Sequence, residues 1–155
     1  MDIELPPDFK ELLSLFRTHG VDYMLIGGYA VATYGYSRTT MDIDLWIARN
    51  QDNAERVVSA MTEFGFGSDQ LRPALFLHDH GMVRIGAPPL KVEILTSISG
   101  IDYEAARPNA VTYEWDGAVV SVIAYDDLIT NKKASARPRD LADIHELEKK
   151  RNRKR

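Results

Sequence analysis

The residues of this chain best equipped to do chemistry are the paired acids of Asp42-Ile43-Asp44. In an extended strand, side chains at i and i+2 share a face, so the two carboxylates stand together while Ile43 and Leu45 turn toward a core. Aligned acids repel one another. A hard divalent cation is the simplest neutraliser, and Mg2+, with Mn2+ as a substitute, prefers carboxylate and phosphate oxygens. Thirteen residues separate Asp42 from Gly28, and the pair Gly27-Gly28 falls between the apolar run Tyr23-Met24-Leu25-Ile26 and a helix-like segment from Tyr29 to Tyr34. Glycines between a strand and a helix let the backbone bend sharply and come close to a ligand, with N–H groups turned toward a phosphate. A third acid, Glu93, stands in the middle of the strand-like stretch 90–95 with Val92 and Ile94 on either side. An ionised carboxylate there has to be paired or bound to a metal to be tolerated.

A double-glycine turn opening a helix, followed by an Asp-x-Asp strand and then by a third acid on a neighbouring strand, resembles the nucleotidyltransferase superfamily of DNA polymerase beta, the minimal nucleotidyltransferases and the toxin-type enzymes of abortive-infection systems. The resemblance implies a magnesium-dependent enzyme that moves a nucleoside monophosphate from an NTP such as ATP to a hydroxyl-type acceptor and releases pyrophosphate. Asp42 and Asp44 would bridge two Mg2+ ions, and Glu93 would bind the catalytic one and could act as base. The family more often has aspartate at the position of Glu93, so this chain keeps the charge on a longer arm. Backbone N–H groups at Gly27 and Gly28 would hold the triphosphate. Arg38 is expected close to the acids, holding phosphate or pairing with Asp42 or Asp44, and similar sequences follow such an arginine with a threonine, here Thr39. Near the end, NKKASARPRDLADI resembles the close of the toxin-type enzymes, which points to Lys132 on phosphate and Asp140 at the active-site end.

The implied partners are an NTP and an acceptor that could be a small molecule, a tRNA or a protein, with a partner protein or a second copy completing the site. A second reading keeps the shell without turnover: a silent nucleotide- or RNA-binding module, one half of a toxin–antitoxin-like pair. The three retained carboxylates argue against it.

Bulk properties agree with a soluble enzyme domain. Of 155 residues, 45% are hydrophobic and 27% charged, which excludes disordered and fibrous classes, and the absence of cysteine excludes disulfides, thiolate zinc sites and a cysteine nucleophile. The acidic opening MDIELPPDF lacks a signal-like apolar region and no apolar stretch is long enough for a bilayer, so no membrane association and a cytoplasmic location are expected. Net charge is −4, but residues 131–155 hold ten Lys/Arg against four Asp/Glu, an excess of +6 that leaves −10 for the rest. Such an end can face phosphate or simply form a solvated helix terminus.

The expected architecture is a single α/β (α+β) domain over residues 1–148, a mixed twisted sheet flanked by helices, with 149–155 as a basic tail. Phe9, Leu12, Leu13 and Phe16 mark a first helix closed by Gly20. Ala54, Val57, Val58, Met61 and Phe64 mark another, ended by Gly65. Residues 82–86 and 90–95 form two strands, and Asp116-Gly117 turns a hairpin whose alternation implies one covered face. Asp126 or Asp127 caps a further helix, and Pro138 opens the last, with Leu141, Ile144 and Leu147 inward. His78-Asp79-His80 reads as a turn rather than a zinc site, since no further ligands match it.

Overall fold

A computed structural model describes residues 4–38, 40, 42–87 and 90–153. Pro7 opens helix α1 (Pro7–Thr18), whose Phe9, Leu12, Leu13 and Phe16 form one buried stripe, and Gly20 at φ +67° lets the chain reverse into strand β1 (Tyr23–Ile26). The strand passes directly into α2 (Gly27–Thr33), and β2 (Asp42–Ile47) returns antiparallel beside β1. Helix α3 (Gln51–Met61) begins at Asn50, whose side chain accepts from the Asn53 N–H at 2.9 Å. It ends in a wide turn around Gly65 at φ +114°. Strands β3 (Met82–Ala87) and β4 (Leu90–Leu95) are antiparallel neighbours, and the connection through Pro88 and Pro89 lies outside the described residues.

A short α4 (Tyr103–Ala106) leads to the hairpin of β5 (Val111–Trp115) and β6 (Ala118–Val122), where Asp116 and Gly117 have φ of +50° and +84° as a tight two-residue turn requires. Only part of this hairpin's inner face is covered. Val111, at the open end of the edge strand, stays exposed while Trp115 is buried. Helices α5 (Tyr125–Ser135) and α6 (Pro138–Arg153) complete the chain. Neither Asp126 nor Asp127 caps α5. Its cap position is Ala124, and both acids occupy the first turn, where they favour the helix end electrostatically. Residues 149–153, expected as a tail, continue α6, with Arg151 paired to Asp126 at 3.1 Å and lying over the Tyr125 ring at 4.5 Å.

The strands form one six-stranded sheet in the order β3-β4-β2-β1-β6-β5, parallel at β2/β4 and β1/β6 and antiparallel elsewhere. One continuous apolar core joins α1, α3 and the sheet, with Ile43, Leu45 and Ile47 of β2 among its fully buried members. Burying such side chains stabilises by roughly 1.5–3 kcal/mol each, which holds β2 rigid under the acids on its other face. Among the described residues no helix is long and apolar enough to cross a membrane.

Candidate active site

The alternation in β2 places Ile43 and Leu45 in the core and leaves Asp42 and Asp44 only partly covered on the opposite face. Sheet order then supplies the third acid. β4 runs parallel to β2 in a register that sets Glu93 directly beside Asp44 and Lys91 beside Asp42. Asp44 shares a side-chain hydrogen bond with Glu93, in which a protonated Asp44 is the donor. Glu93 is also held from the other side: Arg84, its register partner on β3, donates from Nε to Oε1 at 2.8 Å. The mid-strand carboxylate is therefore paired, though by a guanidinium that is itself largely exposed.

Gly27 closes the group from above. It sits at φ +70°, and a β-carbon there would overlap the Asp44 carboxylate, reaching its Cγ at 2.9 Å. At Gly28 a β-carbon would come within 2.7 Å of Thr40 Oγ1 and 3.3 Å of Arg38 Nη1. Both glycines are thus required by close approach, the first to an acid and the second to the Thr40 side chain, with Arg38 just beyond.

Electrostatically the acids are under-compensated. Burial pushes the Asp44 carboxyl up to about 8, helped by the hydrogen bond and charge of Glu93 and by the charge of Asp42, with only Arg139 opposing. A carboxyl held protonated by burial and by neighbouring carboxylates gains from an added positive charge, so the donor set suits a hard cation. Among the described residues no three His, Cys, Asp or Glu side chains form a ready ligand cage. Mg2+ is usually held by one or two carboxylates and substrate phosphates rather than by an all-protein cage, so the arrangement fits that ion.

The acids open into a cleft of about 960 Å3 whose lining includes Gly27, Gly28, Arg38, Asp42, Asp44, Glu93 and Lys132. Thr39 lies outside the described residues. Arg38 does not pair with Asp42 or Asp44. Its fork is taken by Asp143 of α6, with Nε at 2.8 Å from Oδ1 and Nη2 at 3.1 Å from Oδ2. Lys132 is buried rather than solvated, with Nζ 2.9 Å from Asp143 and 3.4 Å from Asp140. Asp140 stands behind the cleft, not on its wall. It takes the Arg137 backbone N–H at 3.2 Å and the Arg137 guanidinium at 2.7 Å. Burial alone would raise its carboxyl, but the Arg137 hydrogen bond and the Lys132 charge bring it below the usual carboxylate range. The site therefore draws together Gly27, Gly28, Arg38, Asp42, Asp44, Glu93 and Lys132, with Asp140 one layer back.

Three participants escape a sequence reading: Arg84, Arg137 and, above all, Asp143. The inner face of α6 is Asp140, Asp143, Ile144 and Leu147, whereas Leu141, expected inward, is 52% exposed. Two acids share the spacing of the apolar stripe because Arg38, Lys132 and Arg137 neutralise them there. That spacing, 140-143-144-147, was the available signal. His80 lines the cleft and contacts Ser97 Oγ through Nδ1 at 3.0 Å, while Asp79 pairs with Arg49 at 2.9 Å, so His78-Asp79-His80 forms a turn with ordinary partners.

A mixed sheet carrying acids on two adjacent parallel strands, with a double-glycine bend packed on one of them, defines the nucleotidyltransferase class. The chain belongs to the aminoglycoside-2''-adenylyltransferase family, whose model matches residues 8–145. Its fold is shared with TM1012 of Thermotoga maritima, a protein assigned to the nucleotidyltransferases, at 15% identity, 98% coverage of both chains and a TM-score of 0.59. A second likeness, at TM-score 0.56 and 19% identity, is to an antigenic nucleotidyltransferase-like protein from Paracoccidioides brasiliensis, covering 89% of this chain and 72% of that one. A third is to the lincosamide antibiotic adenylyltransferase LnuA in its lincomycin-bound form, at 12% identity, TM-score 0.57 and coverage of 94% and 97%. No curated protein matches the chain. At these identities the solved structures attest the fold alone.

Proposed function

We propose that this protein is a metal-dependent nucleotidyltransferase that moves a nucleoside monophosphate from an NTP, ATP in the first instance, to an acceptor hydroxyl and releases pyrophosphate. The observation that carries this reading is the Asp44–Glu93 pair on parallel neighbouring strands, under the Gly27 bend and beside Asp42. Asp42, Asp44 and Glu93 would hold Mg2+, which when bound neutralises the triphosphate and lowers the pKa of a hydroxyl that it contacts. The chain's own work is positioning. The Gly27 and Gly28 amides and the Arg38 and Lys132 cations seat the phosphates along one wall of the cleft. The nucleotide's α-phosphorus then lies beside the acid cluster, the acceptor hydroxyl approaches it in line with the departing pyrophosphate, and Glu93 would accept the hydroxyl's proton. The arriving oxygen bonds to the α-phosphorus as the bond to the bridging oxygen breaks, and pyrophosphate carries that electron pair away.

The family description and the lincomycin on LnuA direct the acceptor search to hydroxyl-bearing antibiotics first, and then to tRNA and protein hydroxyls. The test is incubation with each α-labelled NTP and Mg2+ or Mn2+, with an antibiotic panel and with cell extract as acceptor sources. The expected outcome is labelled acceptor and free pyrophosphate, both abolished in Asp42→Asn. Labelling that survives this substitution defeats the assignment.

A further inference from the structure

Asp143 joins two cations that line the cleft, and it does not line the cleft itself. Its side chain is 1% exposed, it takes Arg38 through both carboxylate oxygens, and it takes Lys132 at 2.9 Å. Arg38 and Lys132 do line the cleft, and they come from different parts of the chain: the connection before β2 and helix α5. Asp140, one turn back on α6, completes the set by holding Lys132 and Arg137. Three cations thus meet two buried anions with one positive charge in excess; Lys132 and Arg38 are largely covered, while Arg137 reaches out to solvent. Buried ion pairs are a poor way to gain stability, because desolvating the charges consumes most of what their attraction returns. Such a network makes sense where the charged ends must be held at a defined place.

We propose that Asp143 is a positioning residue: from behind the cleft wall it ties Arg38 and Lys132 into one rigid unit and aims both at the polyphosphate of the nucleotide. The inference rests on the phosphate-seat part of the functional reading. Without the clamp, two long side chains with several rotatable bonds must be ordered each time phosphate binds. With it, the bidentate fork of Arg38 is set in advance and leaves Nη1 toward Gly28.

The proposal makes a sign prediction that simple electrostatics contradicts. Asp143→Asn removes a negative charge next to a phosphate seat, so Coulomb attraction alone makes an anion bind more tightly. Positioning makes it bind more weakly. The experiment is calorimetric titration of inorganic tripolyphosphate in Mg2+ into the full chain, comparing Asp143→Asn, Asp143→Glu and Leu147→Ala, the last loosening α6 at a fully buried apolar position one turn beyond Asp143 that carries no charge of the network.

Wild type and Leu147→Ala are expected to bind alike, and Asp143→Asn about tenfold more weakly, the size of one well-made charge-assisted contact. Asp143→Glu keeps the charge and displaces the cations by a methylene, so it too weakens binding; this variant decides the matter should the asparagine form fail to fold. Unchanged or tighter binding in either Asp143 variant overturns the proposal. Failure of the wild type to bind tripolyphosphate removes the phosphate seat itself and the proposal with it, whereas normal binding without any labelled acceptor defeats only the transfer reading.

Discussion

Replacing Asp44 by asparagine should stabilise the protein in alkaline solution while abolishing transfer. In the folded chain the Asp44 carboxyl is pushed up from 3.8 to about 8 by burial and by Glu93 and Asp42. For an acid whose folded pKa is raised, the native state keeps a proton that the unfolded chain gives up. The cost is absent below about pH 4, grows as pH rises through the interval, and is complete above about pH 8. The displacement corresponds to on the order of 5 kcal/mol at full strength. Because the carboxyl is partly exposed, water and counter-ions screen it, and about 2 kcal/mol is the expected size. An asparagine carries no charge, and its amide can donate to Glu93 as protonated Asp44 does. Denaturant unfolding in EDTA from pH 5 to pH 9 should therefore show Asp44→Asn gaining on wild type as pH rises, by about 2 kcal/mol at pH 9. Mg2+ with pyrophosphate should reverse the order by stabilising wild type alone. A difference that does not change with pH, or a variant less stable than wild type at pH 9, refutes the electrostatic account of the acid cluster.

Gly27→Ala should cost about 1–3 kcal/mol in unfolding free energy, because alanine resists φ +70° and its methyl overlaps the Asp44 carboxylate; equal stability would show that the bend is not tied to the acid. Arg84→Ala removes an exposed cation that holds Glu93 at 2.8 Å, so stability should fall by less than about 1 kcal/mol while Mn2+, followed by electron paramagnetic resonance, binds several-fold more tightly. Weaker Mn2+ binding would mean that Arg84 organises Glu93 rather than competing for it. Asn53→Ala, which deletes a buried side chain bonded to Asp22 N and O and to Ala48 O at 2.7–3.0 Å, should cost about 2–4 kcal/mol and leave transfer per folded molecule unchanged. A change in turnover would extend the site to the far end of β2.

What could be read from the residues alone, and what could not, divides along a physical line. Faces are local: a period of two put Asp42 and Asp44 opposite Ile43 and Leu45, and two adjacent glycines announced a bend, because each follows from the geometry of a few consecutive residues. Neighbours are not local. That β4 lies against β2 in the register pairing Asp44 with Glu93 depends on a sheet order no periodicity encodes, and the expectation rested there on family likeness. The fate of Arg38 shows the same limit. Its approach to the acids was legible from its distance to Asp42 along the chain, but its partner came from a helix more than a hundred residues later. On α6 Ile144 and Leu147 face inward as expected and only Leu141 does not; the expectation for Leu141 arises because an apolar side chain is ordinarily the better occupant of a buried face than the acids that stand there. Asp140 and Asp143 hold that face because three cations from elsewhere in the fold meet them there. Where a chain places acids at the spacing of its own core, the cations that pay for them indicate where to look for a built site, and here they line the cleft beside the acids of β2 and β4.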